Sequence, residues 1–244
     1  MIQRVRIVGH APDSFRDTVI QSGFSLDEDR PDVIIAYGGD GTLIGAERSW
    51  PEVPKLGIRT DDTCVKCPRH ADDVVLDRLR AGRMDEEQLL KLEGRFRDHL
   101  LLAVNDIIFR NADPRAAVRF VVSLNGMPVT EEVIGDGLVV ATPFGSSAYF
   151  RSVTRMAIRC GIGIAFNNCT DFLHHLVMGE SEVLTIDLTR GPATLTCDND
   201  PSLIPVDTGD RIAIRKAPGS ARLLGVDTLR CTDCRYVNAP RRRY

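Results

Sequence analysis

One run constrains this chain more than any other: Tyr37-Gly38-Gly39-Asp40-Gly41-Thr42, entered from Asp32-Val33-Ile34-Ile35-Ala36. Apolar, β-branched residues bounded by Pro31 and a glycine cluster read as a buried strand ending in a tight turn. Leu43-Ile44-Gly45-Ala46-Glu47-Arg48 continues as a helix, with Asp40 or Thr42 available as its cap. A strand, a glycine turn and a helix N-terminus form a phosphate-binding element, because glycines let the backbone come close and the helix dipole faces the anion. Asp40 is the odd part. It repels a phosphate unless it binds magnesium or takes a proton from an attacking hydroxyl, and both are tasks of phosphoryl transfer. Taken alone, the run is equally a turn that merely joins strand to helix.

Around this element the pattern alternates. Val5-Arg6-Ile7-Val8-Gly9 reads as a first strand, residues 13–22 as a helix, Val53-Pro54-Lys55-Leu56-Gly57-Ile58 as another strand, and residues 71–82 as a helix stopped by Gly82. Strands alternating with helices predict an α/β domain on a parallel, Rossmann-like sheet, with ligand at the carboxyl ends of the strands. From residue 88 the period changes. Segments 89–93, 99–104, 117–122, 127–130, 138–141, 163–166, 182–188, 193–197, 211–215 and 221–224 read as strands, with Asn125-Gly126 as a hairpin turn and residues 145–156 as a single helix. This half is expected to be an antiparallel β-sandwich. The domains so predicted are 1–86 with 225–244, the C-terminal tail packing back on the N-terminal domain, and 87–224.

Seven cysteines carry the next constraint, because four of them form two C-x-x-C pairs, Cys64/Cys67 and Cys231/Cys234. In a reducing compartment, paired thiolates at this spacing chelate a tetrahedral zinc ion more readily than they form disulfides. The reading is one structural zinc held by Cys64, Cys67, Cys231 and Cys234, with redox pairs or unrelated thiols as alternatives and His70 as a substitute ligand. Cys160, Cys169 and Cys197 are expected to fill the core. No apolar run approaches the roughly 18 residues of a membrane span, and no signal sequence opens the chain, so the expectation is a cytoplasmic protein without a membrane partner. A net charge of −3 gives no support for a nucleic-acid partner.

The stretch Gly135-Asp136-Gly137-Leu138-Val139-Val140-Ala141-Thr142-Pro143-Phe144-Gly145-Ser146-Ser147-Ala148-Tyr149 repeats the first motif's grammar: a strand, a Pro and Gly turn, then hydroxyl residues at a helix start. Ser146 and Ser147 there offer amides and hydroxyls to a polar ligand, and Tyr149 can stack on a nucleoside or bond to it. By itself the stretch is as well read as a capped helix. In order, Gly38-Gly39-Asp40-Gly41-Thr42, Asn105-Asp106 and the segment 136–149 resemble the motifs of the NAD kinase family, GGDGT, NE and DG-x6-TGSTAY. Lipid kinases and the phosphofructokinase group share only the first.

The resemblance implies a homo-oligomeric enzyme, a dimer or tetramer, that transfers the γ-phosphoryl group of magnesium-bound ATP to the adenosine ribose 2′-hydroxyl of NAD. It implies that Asp40 helps to deprotonate that hydroxyl and that Gly38, Gly39, Gly41 and Thr42 face the donor. Asn105 then matches an adenine contact, Asp106 replaces a family glutamate with a shorter reach, and Asp136 matches a substrate-binding aspartate. Ser146, Ser147, Ala148 and Tyr149 match the adenosine-binding helix start, and Ser152 a further hydroxyl contact. The chain departs from the family at Phe144, where a threonine or serine is usual, and at Cys197-Asp198-Asn199-Asp200, where an aspartate-glycine turn is common. These departures motivate two alternatives: a non-catalytic nucleotide-binding protein with structural zinc, or a kinase of another small alcohol or lipid.

Overall fold

The computed structural model describes residues 2–60, 70–170 and 174–229. The chain divides into two units, residues 1–89 with 221–244 and residues 90–220.

The first unit begins β1 (Arg4–Gly9), α1 (Asp13–Gln21), β2 (Ser25–Leu26), β3 (Val33–Tyr37), α2 (Asp40–Ser49), β4 (Lys55–Ile58) and α3 (Asp72–Arg80). β2, β1, β3 and β4 run parallel in that order, as the alternation of strand and helix predicts. Val5, Ile7, Val33, Ile35, Leu56 and Ile58 alternate onto one face, where Phe15 and Val19 of α1 and Val75, Leu76 and Leu79 of α3 cover them. Leu43, Ile44 and Ala46 of α2 are buried as that helix packs on β3 and β4. Cover on both faces explains why β3 is apolar at every position instead of alternating; all five of its residues are buried.

The second pattern yields β5 (Glu86–Phe96), β6 (His99–Ala103), β7 (Asp106–Asn111), β8 (Val118–Leu124), β9 (Met127–Pro128), β10 (Val133–Gly135), β11 (Gly137–Ala141) and α4 (Tyr149–Thr154). It continues with β12 (Ile162–Asn167), β13 (His175–Met178), β14 (Leu184–Arg190), β15 (Ala193–Cys197), β16 (Ile204–Val206) and β17 (Arg211–Leu224), followed by the short α5 (Val226–Leu229). One antiparallel sheet has the order β13-β12-β11-β7-β15-β16. Its inner face, with Ile107, Phe109, Leu138, Val140, Ile164 and Leu195, shares a core with Phe120, Val122, Leu184, Ile186, Ile212 and Ile214 of β8, β14 and β17. Phe109 and Phe120 meet edge to face, centroids 5.4 Å apart. Asn125 and Gly126, at φ 51° and 80°, supply the two positive φ angles of the tight turn joining β8 to β9.

Three expectations need correction. The strands expected at 211–215 and 221–224 are one strand, β17, which pairs with β14 through Arg211–Ile214 and with β4 through Leu223 and Leu224. Pro218 and Gly219 do not break it because both lie exposed, where a missing N–H costs no buried ladder bond. The division between units therefore falls inside β5 and β17 and not in a loop. The single helix expected at 145–156 is a 3₁₀ turn over Gly145–Ser147, an interruption at Ala148 (φ −97°, ψ −117°), and α4. Cys197 is in the core and Cys169 packs against it, but Cys160 is exposed.

The tail expected to fold back is described as far as α5, where Leu229 lies against Gly57 so closely that a Cβ there would come within 2.6 Å of it. Cys64, Cys67, Cys231 and Cys234, and hence the predicted zinc site, lie outside the described residues. Among the described residues no helix is long and apolar enough to cross a membrane.

Candidate active site

β3 delivers the first motif. Gly38 turns the chain at φ 152°, its N–H donating to the carbonyl of Ile58 at 2.9 Å, and a Cβ there would press to 2.5 Å of Thr42 Oγ1. Glycine is required at that point by both conformation and space. Gly39 caps α2 from an extended conformation, so the capping role expected of Asp40 or Thr42 is corrected: Asp40 is the first helical residue and Thr42 the third. Asp40 and Gly41 are exposed, and nothing lies within 4 Å of the position a Gly39 side chain would take. The result is an open helix N-terminus, positive by its dipole, with a carboxylate at its rim.

The second cluster belongs to the other unit and gathers at one end of β7 and β11. Asp106 opens β7 opposite Ala141, the last residue of β11. Asn105 is held from both sides: its carbonyl accepts the Thr142 N–H at 2.9 Å, and a Cβ on Gly145 would collide with its backbone. Thr142, fully buried, donates its hydroxyl to Val104 O at 2.5 Å and accepts from the Gly145 N–H at 3.0 Å. The Asp198 carboxylate then receives three backbone N–H groups, from Val104 (2.9 Å), Asn105 (2.8 Å) and Asp106 (3.1 Å). Held in this way, Asn105 has a side-chain Oδ1 that is buried and without a partner among the described residues.

The other predicted residues divide. The Ser146 hydroxyl is buried; it donates toward Pro143 O and accepts from Ile158 N–H at 3.0 Å. Its amide bonds to Thr142 O, so neither group is offered to a ligand, a correction explained by the hydroxyl's bonding back into the turn. Ser147 and Ser152 likewise donate to the carbonyls three residues before them, with Ala148 and Ser152 exposed. Tyr149 accepts from Asn167 Nδ2 at 3.3 Å. Asp136 stands at the opposite end of β11 from Ala141, taking the Asn168 amide at 3.1 Å and bonding its N–H to Asn167 O. Asp136 and Tyr149 thus share Asn167, which pairs with Gly137 at the start of β11.

Two groups escaped the sequence reading. Asp198 was visible only as a departure from a familial turn. Glu47 and Lys55 form a buried ion pair between α2 and β4; a carboxylate among Leu43, Ile44 and Ala46 was its signal.

Burial, and then the charge of Asp198, push the Asp106 carboxyl up to about 7. In the unfolded chain it titrates near 4. The folded state therefore holds its proton more tightly, and this contribution to stability, complete below pH ~4, is lost as pH rises to about 7. Asp106→Asn is expected to gain stability relative to the native chain between pH 5 and pH 8, by a few kcal/mol at ~1.36 kcal/mol per pH unit. Urea midpoints at the two pH values measure it; a difference independent of pH contradicts it.

Among the described residues no three His, Cys, Asp or Glu side chains gather as a metal site. The profile of the ATP-NAD kinase C-terminal domain matches residues 104–226. An NAD kinase of Symbiobacterium thermophilum is 32% identical over 216 residues, covering 83% of this chain and 76% of its own. The fold is similar to that of yeast NADH kinase complexed with NADH, TM-score 0.75 at 17% identity, over 92% of this chain and 83% of that one. It is similar as well to an NAD kinase from Archaeoglobus fulgidus in complex with ATP, TM-score 0.74 at 17% identity, over 97% and 96%.

Proposed function

This chain belongs to the NAD kinase family, so its reaction is the ATP-dependent phosphorylation of NAD, and we propose how its residues divide that work. The open N-terminus of α2, with Gly38, Gly39, Gly41 and Thr42, receives the phosphates of magnesium-bound ATP. Magnesium arrives with this substrate, since it keeps waters and prefers phosphate oxygens to a protein cage. The adenosine ribose 2′-hydroxyl of NAD attacks the γ-phosphorus, ADP leaves, and Asp40 takes the hydroxyl proton. Phosphoryl transfer asks for little beyond alignment and charge neutralisation, so no further dyad is needed.

Asn105 and Asp106 contact the acceptor nucleotide, with Ala148, Tyr149 and Ser152 on its adenosine side. Ser146 and Ser147 shape the turn, and Asp136 orders the distant end of β11. The observation that carries this reading is the exposed Asp40 carboxylate on a helix N-terminus whose glycine cap leaves open space. NAD lacking the adenosine ribose 2′-hydroxyl is the test: it is expected to bind and yield no phosphorylated product, while NAD yields NADP. Phosphate on any other hydroxyl contradicts the assignment.

Structural zinc at Cys64, Cys67, Cys231 and Cys234 belongs to the same proposal. It is supported by what flanks the pairs in sequence. Leu229, two residues before Cys231, packs against Gly57, seven residues before Cys64. His70, three residues after Cys67, is close enough to help Arg78 hold the Asp227 carboxyl below its usual range. The described residues nearest the two pairs in sequence, Gly57 with Leu229 and His70 with Asp227, thus lie close together, as one tetrahedral ion requires. Metal analysis of chelator-free protein is expected to find one zinc per chain, whose removal lowers the thermal midpoint. Four freely reactive thiols without zinc contradict it.

A further inference from the structure

We propose that Asp198 is a positioning residue for the acceptor nucleotide: by gathering the N–H groups of Val104, Asn105 and Asp106 it holds the two side chains that meet NAD. The inference rests on the assignment of Asn105 and Asp106 as acceptor contacts. Its physical basis is the convergence of three backbone donors, at 2.8 to 3.1 Å, on one carboxylate more than ninety residues away in sequence.

A helix would satisfy these amides with its own carbonyls and a strand with those of its neighbour; here β7 begins only at Asp106, so the preceding residues have no ladder to use. Asp198 supplies the missing acceptors, and a carboxylate bonded to several N–H groups is among the stronger acceptors available to a backbone. The turn that carries it is bent for the purpose. Asp198 lies in the left-handed region at φ 49°, and its own N–H donates back to Asp106 O at 2.8 Å, so segments 104–106 and 197–198 are bonded in both directions.

With the Asp198 carboxylate on its N–H and the turn of Thr142 and Gly145 against its carbonyl and backbone, Asn105 is held from two separate segments while its Oδ1 has no partner among the described residues. Burying an amide oxygen without a donor is unfavourable, and an incoming adenine amino group, as a donor, removes that penalty. Asp198 therefore holds in place the backbone that carries this unsatisfied oxygen. Its charge also faces Asp106, across from the turn that carries Asp200 as a second carboxyl.

The test is Asp198→Asn in the full chain. Asparagine retains one oxygen but turns an NH₂ toward three N–H donors. KM for NAD is expected to rise by about tenfold to 10²-fold, the scale of a misplaced contact. KM for magnesium-bound ATP is expected to stay within about twofold, because the donor's residues lie elsewhere in the sequence. A fall in kcat with both KM values unchanged, or an equal rise in both, overturns the inference, since a merely structural aspartate acts without regard to substrate.

Hydrogen exchange in the native chain gives a second reading that does not depend on the variant's folding. The three amides are expected to exchange slowly, and more slowly with NAD than with magnesium-bound ATP. Exchange indifferent to NAD overturns the inference. Because exchange requires no turnover, a chain that forms no NADP would defeat the kinase assignment while leaving the clamp to be judged by these amides.

Discussion

Asp40→Asn is expected to lower kcat for NADP formation by about 10²- to 10⁴-fold, the contribution of a positioned general base. The side chain sits exposed in the first turn of α2, so its replacement disturbs no packing. Asparagine keeps its shape and can still bond to a ribose hydroxyl, but it cannot take the proton. Losing an acidic group at a helix N-terminus costs only about 0.3–1 kcal/mol, so the variant is expected to fold as the native chain does. Steady-state kinetics beside circular dichroism separate the two effects: kcat collapses, KM for NAD changes little, and the spectrum is unaltered. A loss smaller than about tenfold would show that alignment by the loop, not proton transfer to Asp40, dominates the rate.

Glu47→Gln carries the largest expected loss of stability. Glu47 and Lys55 bond directly, with side chains only 6% and 2% exposed. Lys55 sits centrally in the parallel sheet, opposite Ile34 of β3 on one side and Leu223 of β17 on the other. Its ammonium cannot reach bulk water without breaking that packing. Removing the Glu47 charge takes a directly bonded counter-charge from the buried Lys55, a loss of roughly 3–5 kcal/mol for such pairs. The double replacement Glu47→Leu with Lys55→Met is expected to recover much of this, since well-packed apolar residues replace such pairs at little cost. Denaturant titration measures both. A single variant within about 0.5 kcal/mol of the native chain, the range of ordinary surface substitutions, contradicts the account. Because Glu47 lies on the helix that begins at Asp40, the pair also fixes how α2 sits on β3 and β4, and with it the direction of the glycine loop.

What could be read from the residues alone follows from the range of the forces involved. Strand, turn and helix around Gly38 to Thr42 are local, and the apolar run, the glycines and the following periodicity state them without tertiary help. The same holds for the Asn125-Gly126 hairpin. The helix over 145–156 was misjudged because small and hydroxyl residues there satisfy a helical pattern, while Ser146 bonds instead to Pro143 and Ile158 across a compact turn. β17 was divided in two because Pro218 and Gly219 punctuate a sequence, although at an exposed position neither stops a strand.

The motifs named Asp40, Asn105 and Asp106, and chain order sets Asp136 before β11; what they did not show is that Asp106 lies opposite Ala141, at the other end from Asp136, which the register of β7 on β11 fixes. Asp198 and the pair Glu47 and Lys55 depend on partners distant in the chain or on another element. Their effects are long-range bonds between one polar group and another, invisible until the fold brings them together.

The kinase assignment meets its most direct test in the purified full chain supplied with NAD and magnesium-bound ATP, with NADP and ADP measured together. The account predicts equal amounts of the two products, with the new phosphate on the adenosine ribose 2′-oxygen. A folded chain that binds NAD yet forms no NADP, or that hydrolyses ATP without transfer to NAD, would contradict it.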